Sequence, residues 1–142
     1  MKEELVIDAV VDNLNAVNLF VHKSIEQFEV SKRTLMQLDL VVEEIFVNVA
    51  SYAYAPNTGS VKILIEANEE PLTVSLTFID SGVPYNPLEK SDPDVNLSVD
   101  DRQIGGLGSF LTKNLVDEIS YQFVDGQNVL QLTKSLKTCQ EE

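Results

Sequence analysis

The hydrophobic pattern cuts the chain into segments of two periods. Residues 4–11, ELVIDAVV, are rich in β-branched side chains and poor in breakers, which predicts a first strand. Val17, Phe20, Val21 and Ile25 recur at helical spacing, and Asn13 or Asn15 is placed to cap a helix that runs to about residue 28. Ser31 has the character of an N-cap for a longer helix, from 32 to about 54, stopped by Pro56 and Asn57-Thr58-Gly59. Most of the stretch from 40 to 50 is apolar, so this helix is expected to be buried over much of its surface. VKILIEA (61–67) and LTVSLTFID (72–80) read as two strands joined by a turn at 68–71. A loop follows over 81–104, with Pro84, Pro87, Pro93 and many Asp, Asn and Ser; so long a loop inside a compact domain is usually functional. A third helix is predicted from about 107 to 117. EISYQFV (118–124) and NVLQLTKSL (128–136) make a closing hairpin around Asp125-Gly126, and the tail 138–142 is expected to fray.

Strands that follow one another closely pair antiparallel, and the helices then gather on one face. The predicted fold is an α/β two-layer sandwich, a mostly antiparallel sheet covered on one face by three helices. It is expected to form a single domain over 1–142, and a doubly wound sheet is excluded. The chain's 142 residues suit one core, and 44% hydrophobic with 23% charged residues is a globular balance. No apolar run is long enough to cross a membrane, and the start MKEELVIDAV lacks the layout of a signal peptide. A cytoplasmic location is the expectation. Cys139 is the only cysteine and His22 the only histidine, so no internal disulfide and no Cys/His zinc set is possible. His22 is expected to be a partly exposed surface residue on a helix.

The net charge of −13 argues against binding nucleic acid or an anionic membrane, because phosphates in quantity are held by Lys and Arg. It leaves room for one small anionic ligand, held by backbone N–H groups, a helix dipole or a metal ion. It leaves room for a basic protein partner as well.

Three places depart from plain scaffold. In LVVEEIFVNVASYAY (40–54), Glu44 and Asn48 are four apart and share a helix face. An Asn among Phe46, Val47 and Val49 is costly unless its amide has a partner. It is either a core Asn satisfied by its neighbours or an oxygen that binds a metal, with Glu44 orienting or deprotonating a nucleophile. Glu43 points about 100° away around the helix and is the lesser partner. In FIDSGVPYNP (78–87), Asp80 closes an apolar strand and is followed by Ser-Gly. This is either a turn signal or a rigid corner whose carboxylate accepts a hydrogen bond from an exocyclic amine such as adenine's. In QIGGLGSFLTKNLVDE (103–118), Gly105, Gly106 and Gly108 are half of the chain's six glycines. They either let a helix pack closely or let the backbone approach a phosphate at a helix N-terminus. Neither a Walker A motif nor a dinucleotide fingerprint is present.

In this order, the three motifs resemble the N, G1 and G2 boxes of the GHKL, or Bergerat, ATP-binding fold shared by histidine-kinase catalytic domains, gyrase-type ATPases and Hsp90. The length and the ending LVDEISY…NVLQLTKSL look most like the RsbW-type anti-sigma factors, which are serine-protein kinases. The resemblance implies that Asn48 coordinates the Mg²⁺ bridging the ATP phosphates, and that Glu44 is the general base toward a serine hydroxyl. It implies that Asp80 accepts from the adenine amine, with Gly82 leaving room for the base and Tyr85 and Asn86 beside the nucleotide. Residues 88–104 would be the ATP lid, Gly105 its hinge, and Gly106, Leu107 and Gly108 the phosphate cradle. The chain departs from the pattern in three places. Tyr52 stands where relatives often carry His, Ile104 where many carry Arg, with Arg102 two residues earlier, and Gln127 or Asn128 where a Thr is common in the last box.

The implied function is an ATP-dependent regulatory kinase. It would hold a sigma factor inactive and phosphorylate a serine on an anti-anti-sigma partner of the STAS type, and such proteins commonly form homodimers. A non-catalytic module whose ATP only shapes a protein-binding surface is the alternative. Weaker options are the catalytic half of a histidine kinase and a plain structural domain.

Overall fold

The computed structural model describes residues 1–86 and 114–140. Within them lie five strands, β1 (Lys2–Asp8), β2 (Ser60–Glu69), β3 (Leu72–Asp80), β4 (Glu118–Val124) and β5 (Gln127–Ser135), and two α-helices, α1 (Leu14–Ile25) and α2 (Lys32–Asn48). The strands form one sheet in the order β1-β2-β3-β5-β4, and every neighbouring pair is antiparallel. Alternate side chains along β2, β3 and β5 are buried, as a sheet covered on one face requires. Ile63 and Ile65 of β2, Leu76 and Phe78 of β3, and Leu132 of β5 meet Val17, Val21 and Ile25 of α1 and Leu38, Val42 and Phe46 of α2 in one core. This is the expected two-layer sandwich. The third helix expected over 107–117 falls mainly outside the described residues, where only Asn114 and Leu115 carry helical geometry.

The strand and helix limits show what periodicity cannot see. β3 and β4 match the expected ranges. β1 covers 2–8 instead of 4–11: Ala9 donates to the Gly59 carbonyl at 2.8 Å, and Val10 N–H turns back to Asp8 O at 2.9 Å. The chain then winds into a 3-10 turn at Val11–Asn13. Asn13 takes the N-cap place of α1, but its Nδ2 donates backward to Asp8 O at 2.9 Å instead of its oxygen capping the helix. Ser31 caps α2 as expected, its Oγ accepting from Thr34 N at 3.2 Å. α2 does not run on regularly to residue 54: after Asn48 it widens into a π-helical turn, Val49–Ala53. In the β4–β5 hairpin Asp125 (φ 53°) and Gly126 (φ 76°) both adopt left-handed geometry, the two-residue turn that an Asp-Gly pair favours.

The tail is docked, contrary to the expected fraying. Thr138 bridges to Val30, Ser31 N–H donates to Lys137 O at 2.8 Å, and Cys139 N–H donates to Glu29 O at 3.0 Å. The link between the helices presents its backbone to the tail there, and those bonds hold it. Residues 141 and 142 lie outside the described residues. His22 is half-exposed as expected, and its Nε2 lies 2.6 Å from Asp39 Oδ1, tying α1 to α2.

One cation lies on the inner face. Lys134 of β5 is buried, and its Nζ donates to Gln37 Oε1 of α2 at 3.1 Å and to Leu115 O. Burial pushes its pKa below 10.5, and the charge of Asp117 offsets part of that shift. Between the lowered folded value and 10.5 the unfolded chain holds more protons than the folded one, so this group makes stability rise with pH across that window. Urea unfolding of the native protein and Lys134→Met at stepped pH checks this. The stability difference is expected to move in favour of the native protein as pH approaches 10.5, and a flat difference would contradict the assignment.

Candidate functional site

Two buried polar side chains stand side by side at one end of the sheet's inner face. Asp80 ends β3 and Asn128 opens β5, directly opposite one another in the register. They are only 6% and 5% exposed, so each needs internal partners. Asp80 Oδ1 accepts from Gly82 N–H and from Asn128 Nδ2, both at 2.9 Å. Asn128 Nδ2 also donates to Val83 O at 2.8 Å, while its Oδ1 accepts from Tyr85 N–H at 3.1 Å and from the Tyr121 hydroxyl. Tyr85 N–H lies 3.2 Å from the Tyr121 oxygen too. Asn128 thus holds the strand-end carboxylate and the segment 83–85 with one amide.

That segment is seated on the end of the second helix. A Cβ on Gly82 would lie 2.1 Å from the Ala53 carbonyl oxygen, so only glycine permits this approach. Val83 N–H donates to the same carbonyl at 2.8 Å. Tyr54 spans the next gap: its hydroxyl donates to Ser60 O at 2.6 Å and accepts from Ser81 N–H at 2.8 Å. Tyr52 stacks on Tyr85, with ring centroids 5.8 Å apart and planes inclined by 23°. Tyr52, where the resemblance leads one to expect His, therefore packs against the corner that follows Asp80.

The second group lies on the last turn of α2, directly before the π segment. Asn48 is 8% exposed, and its Nδ2 donates to Glu44 Oε1 at 2.9 Å. A carboxylate only accepts, so this bond fixes which end of the amide faces Glu44. Asn48 Oδ1 is buried and has no hydrogen-bond partner among the described residues. Glu44 is half-buried and Glu43 exposed, as the helical spacing predicts. Among the described residues, no group of three or more His, Cys, Asp or Glu is placed to hold a metal by itself. A single orphaned amide oxygen fits Mg²⁺, which commonly takes one or two protein oxygens and completes its shell with phosphates and water.

The structure thus brings Asp80, Gly82 and Tyr85 into one network and Glu44 and Asn48 into another, and stacks Tyr52, from the π turn after Asn48, on Tyr85. Asn86 is half-buried beside Tyr85 in sequence. Arg102, Gly105, Gly106, Leu107, Gly108 and the lid 88–104 lie outside the described residues. Of the two candidates for the missing Thr, Asn128 is the buried one, whereas Gln127 is exposed and its Nε2 lies 3.5 Å from Ser81 Oγ. Sequence reasoning missed the part played by Asn128 and Tyr121. The signal was the cross-strand register that sets residue 128 opposite residue 80.

The histidine kinase-like ATPase domain matches residues 7–134 of this sequence. The chain belongs to that family. Its relatives include the serine/threonine-protein kinase BtrW of Bordetella bronchiseptica, 34% identical over 103 residues that span 72% of each chain. The serine-protein kinase RsbW of Bacillus mycoides is 28% identical over 74% of this chain and 66% of its own. The RsbW-type branch is thereby shown for this histidine kinase-like ATPase. A solved structure of the RsbU and RsbW domains of a Mycobacterium tuberculosis protein covers 96% of this chain and 32% of its own, with a TM-score of 0.68 at 14% identity, which supports the fold.

The fit of Gly82 against Ala53 gives a direct check. Gly82→Ala is expected to destabilise the protein by about 1–3 kcal/mol, because backbone on both sides must shift. Gly126→Asn, at a left-handed position with nothing within 4 Å of its Cβ, is expected to be nearly neutral. Thermal unfolding of the two variants compares them, and equal losses would contradict the close-approach argument.

Proposed function

We propose that this protein binds Mg-ATP and transfers the γ-phosphoryl group to a serine on an anti-anti-sigma partner of the STAS type. The observation that carries the reading is the buried Asn48 oxygen, which has no partner among the described residues while its amide nitrogen is tied to Glu44. The names of the relatives BtrW and RsbW, both protein kinases, support the same class of reaction.

Each residue has a distinct task. Asp80 accepts from the exocyclic amine of adenine, and Gly82 keeps the corner tight. Asn48 holds Mg²⁺, which when bound neutralises phosphate charge. Glu44 accepts the proton of the attacking serine hydroxyl, within reach of the same site because it shares a helix face with Asn48. In this reading Gly106, Leu107 and Gly108 are the residues assigned to the phosphates, Gly105 is the hinge before them, and Arg102 is the cation assigned to the γ-phosphate. Phosphoryl transfer asks little covalent chemistry of a protein. Positioning and charge neutralisation do most of the work, so an acidic chain with few cations is suited to it. The proposal extends to a sigma factor held by the same protein, to a homodimer and to a cytoplasmic setting.

Calorimetric titration with Mg-ATP, followed by phosphotransfer to candidate STAS proteins, tests the reading. The native protein is expected to bind at one saturable site. Asp80→Asn is expected to lose that binding. Glu44→Ala is expected to keep it while phosphotransfer falls by roughly 10²-fold or more, the usual scale for a lost general base. A native protein that binds ATP yet phosphorylates no STAS partner would leave an ATP-shaped binding module. A folded protein that binds no nucleotide would overturn the reading.

A further inference from the structure

We propose that Asn128 is a positioning residue that fixes the Asp80 carboxylate and so sets a preference for a 6-amino over a 6-oxo purine. The inference rests on the nucleotide reading above and adds a specificity device to it. Its starting point is that the assignment of the amide ends is forced. Nδ2 faces two groups that can only accept, Asp80 Oδ1 at 2.9 Å and Val83 O at 2.8 Å. Oδ1 faces a group that can only donate, Tyr85 N–H at 3.1 Å. A flipped amide would break all three bonds.

The consequence for Asp80 is directional. Oδ1 already carries two donors, Gly82 N–H and Asn128 Nδ2. Oδ2 takes no hydrogen bond among the described residues. Rotating the carboxylate would break both bonds at Oδ1, so Oδ2 remains the acceptor presented to a ligand. An ionised carboxylate offers no hydrogen to a carbonyl. A 6-amino group satisfies Oδ2, whereas a 6-oxo group would set two acceptors face to face and leave both unpaired. The same amide holds the segment 83–85, whose Tyr85 ring rests on Tyr52. A Thr at this position would offer one hydroxyl and could not make these four bonds at once. The replacement therefore joins two tasks in one side chain: aiming Asp80 and latching the corner beside it.

The test is calorimetric titration of the native protein, Asn128→Leu and Asn128→Thr with Mg-ATP and Mg-ITP. Circular dichroism and thermal unfolding establish that each variant is folded. The native protein is expected to favour ATP over ITP by roughly tenfold or more. Asn128→Leu, similar in volume but without donors, is expected to reduce that ratio severalfold, a change that a general loss of packing would not produce. Asn128→Thr is expected to weaken both nucleotides by a common factor while keeping the preference. A folded Asn128→Leu with the native ratio would overturn the inference while leaving ATP binding intact, as would Asn128→Thr with native affinities if the Leu variant does not fold. A native protein that binds ATP and ITP equally would overturn it as well. One that binds neither would take down the nucleotide reading itself.

Discussion

A carboxylate buried at the end of a central strand must be given its hydrogen bonds by the protein, and much of this architecture follows from that need. An unpaired buried charge is costly enough to unfold a domain of ordinary stability. Asp80 finds its donors in Gly82 of its own turn and in Asn128 of the neighbouring strand. That second donor exists only in one register. A slip of one residue between β3 and β5 would carry Asp80 to the outer face and every apolar partner with it. The apolar pattern of the sheet and the polar pair at its end therefore demand the same alignment, and each makes the other unambiguous.

The helical layer meets this corner through an irregularity. The π turn after Asn48 ends at Ala53, whose carbonyl receives Val83 N–H and leaves no space for a side chain at residue 82. Such turns recur at functional sites because they re-aim a helix end without breaking it. Here the turn lies between the residue that would hold the metal and the residue on which the strand-end corner rests. Asn48 and the corner after Asp80 are thus set by one continuous element, with the stacked rings of Tyr52 and Tyr85 as the lateral contact.

The parts of this arrangement that sequence revealed are those governed by a simple period. Alternation in 61–67 and 72–80 located β2 and β3, and Asp125-Gly126 located the last hairpin, because one face of each strand is dry and the turn demands left-handed residues. Glu44 and Asn48 were paired by helical spacing alone, and the structure joins them by a hydrogen bond. What sequence left hidden depends on backbone partners from distant segments. β1 is ended by a carbonyl at Gly59, and the tail is held by the backbone at Glu29 and Ser31. The apolar run through 49–53 reads equally as α or π, since the two differ only in which carbonyl is chosen. Asn128 looked like one of two replacements for a Thr. Its four bonds come from three segments that no local pattern connects.

The choice of an amide at position 48 follows from the carboxylate four residues before it. An Asp there would bind a divalent cation more strongly in isolation. It would also place a second negative group within hydrogen-bond distance of Glu44, and like charges so close oppose ionisation of one of them. In the role proposed for Glu44, a carboxyl that held its proton could not act as a base. Asn avoids that conflict: its nitrogen donates to Glu44 Oε1 at 2.9 Å, while its oxygen keeps an acceptor without adding charge. On the proposed reading, the neutral amide would serve a carboxylate with its nitrogen and a cation with its oxygen. In a chain with a net charge of −13 this economy would matter to the proposed nucleotide site, because every added carboxylate beside it would raise the repulsion that an anionic ligand meets.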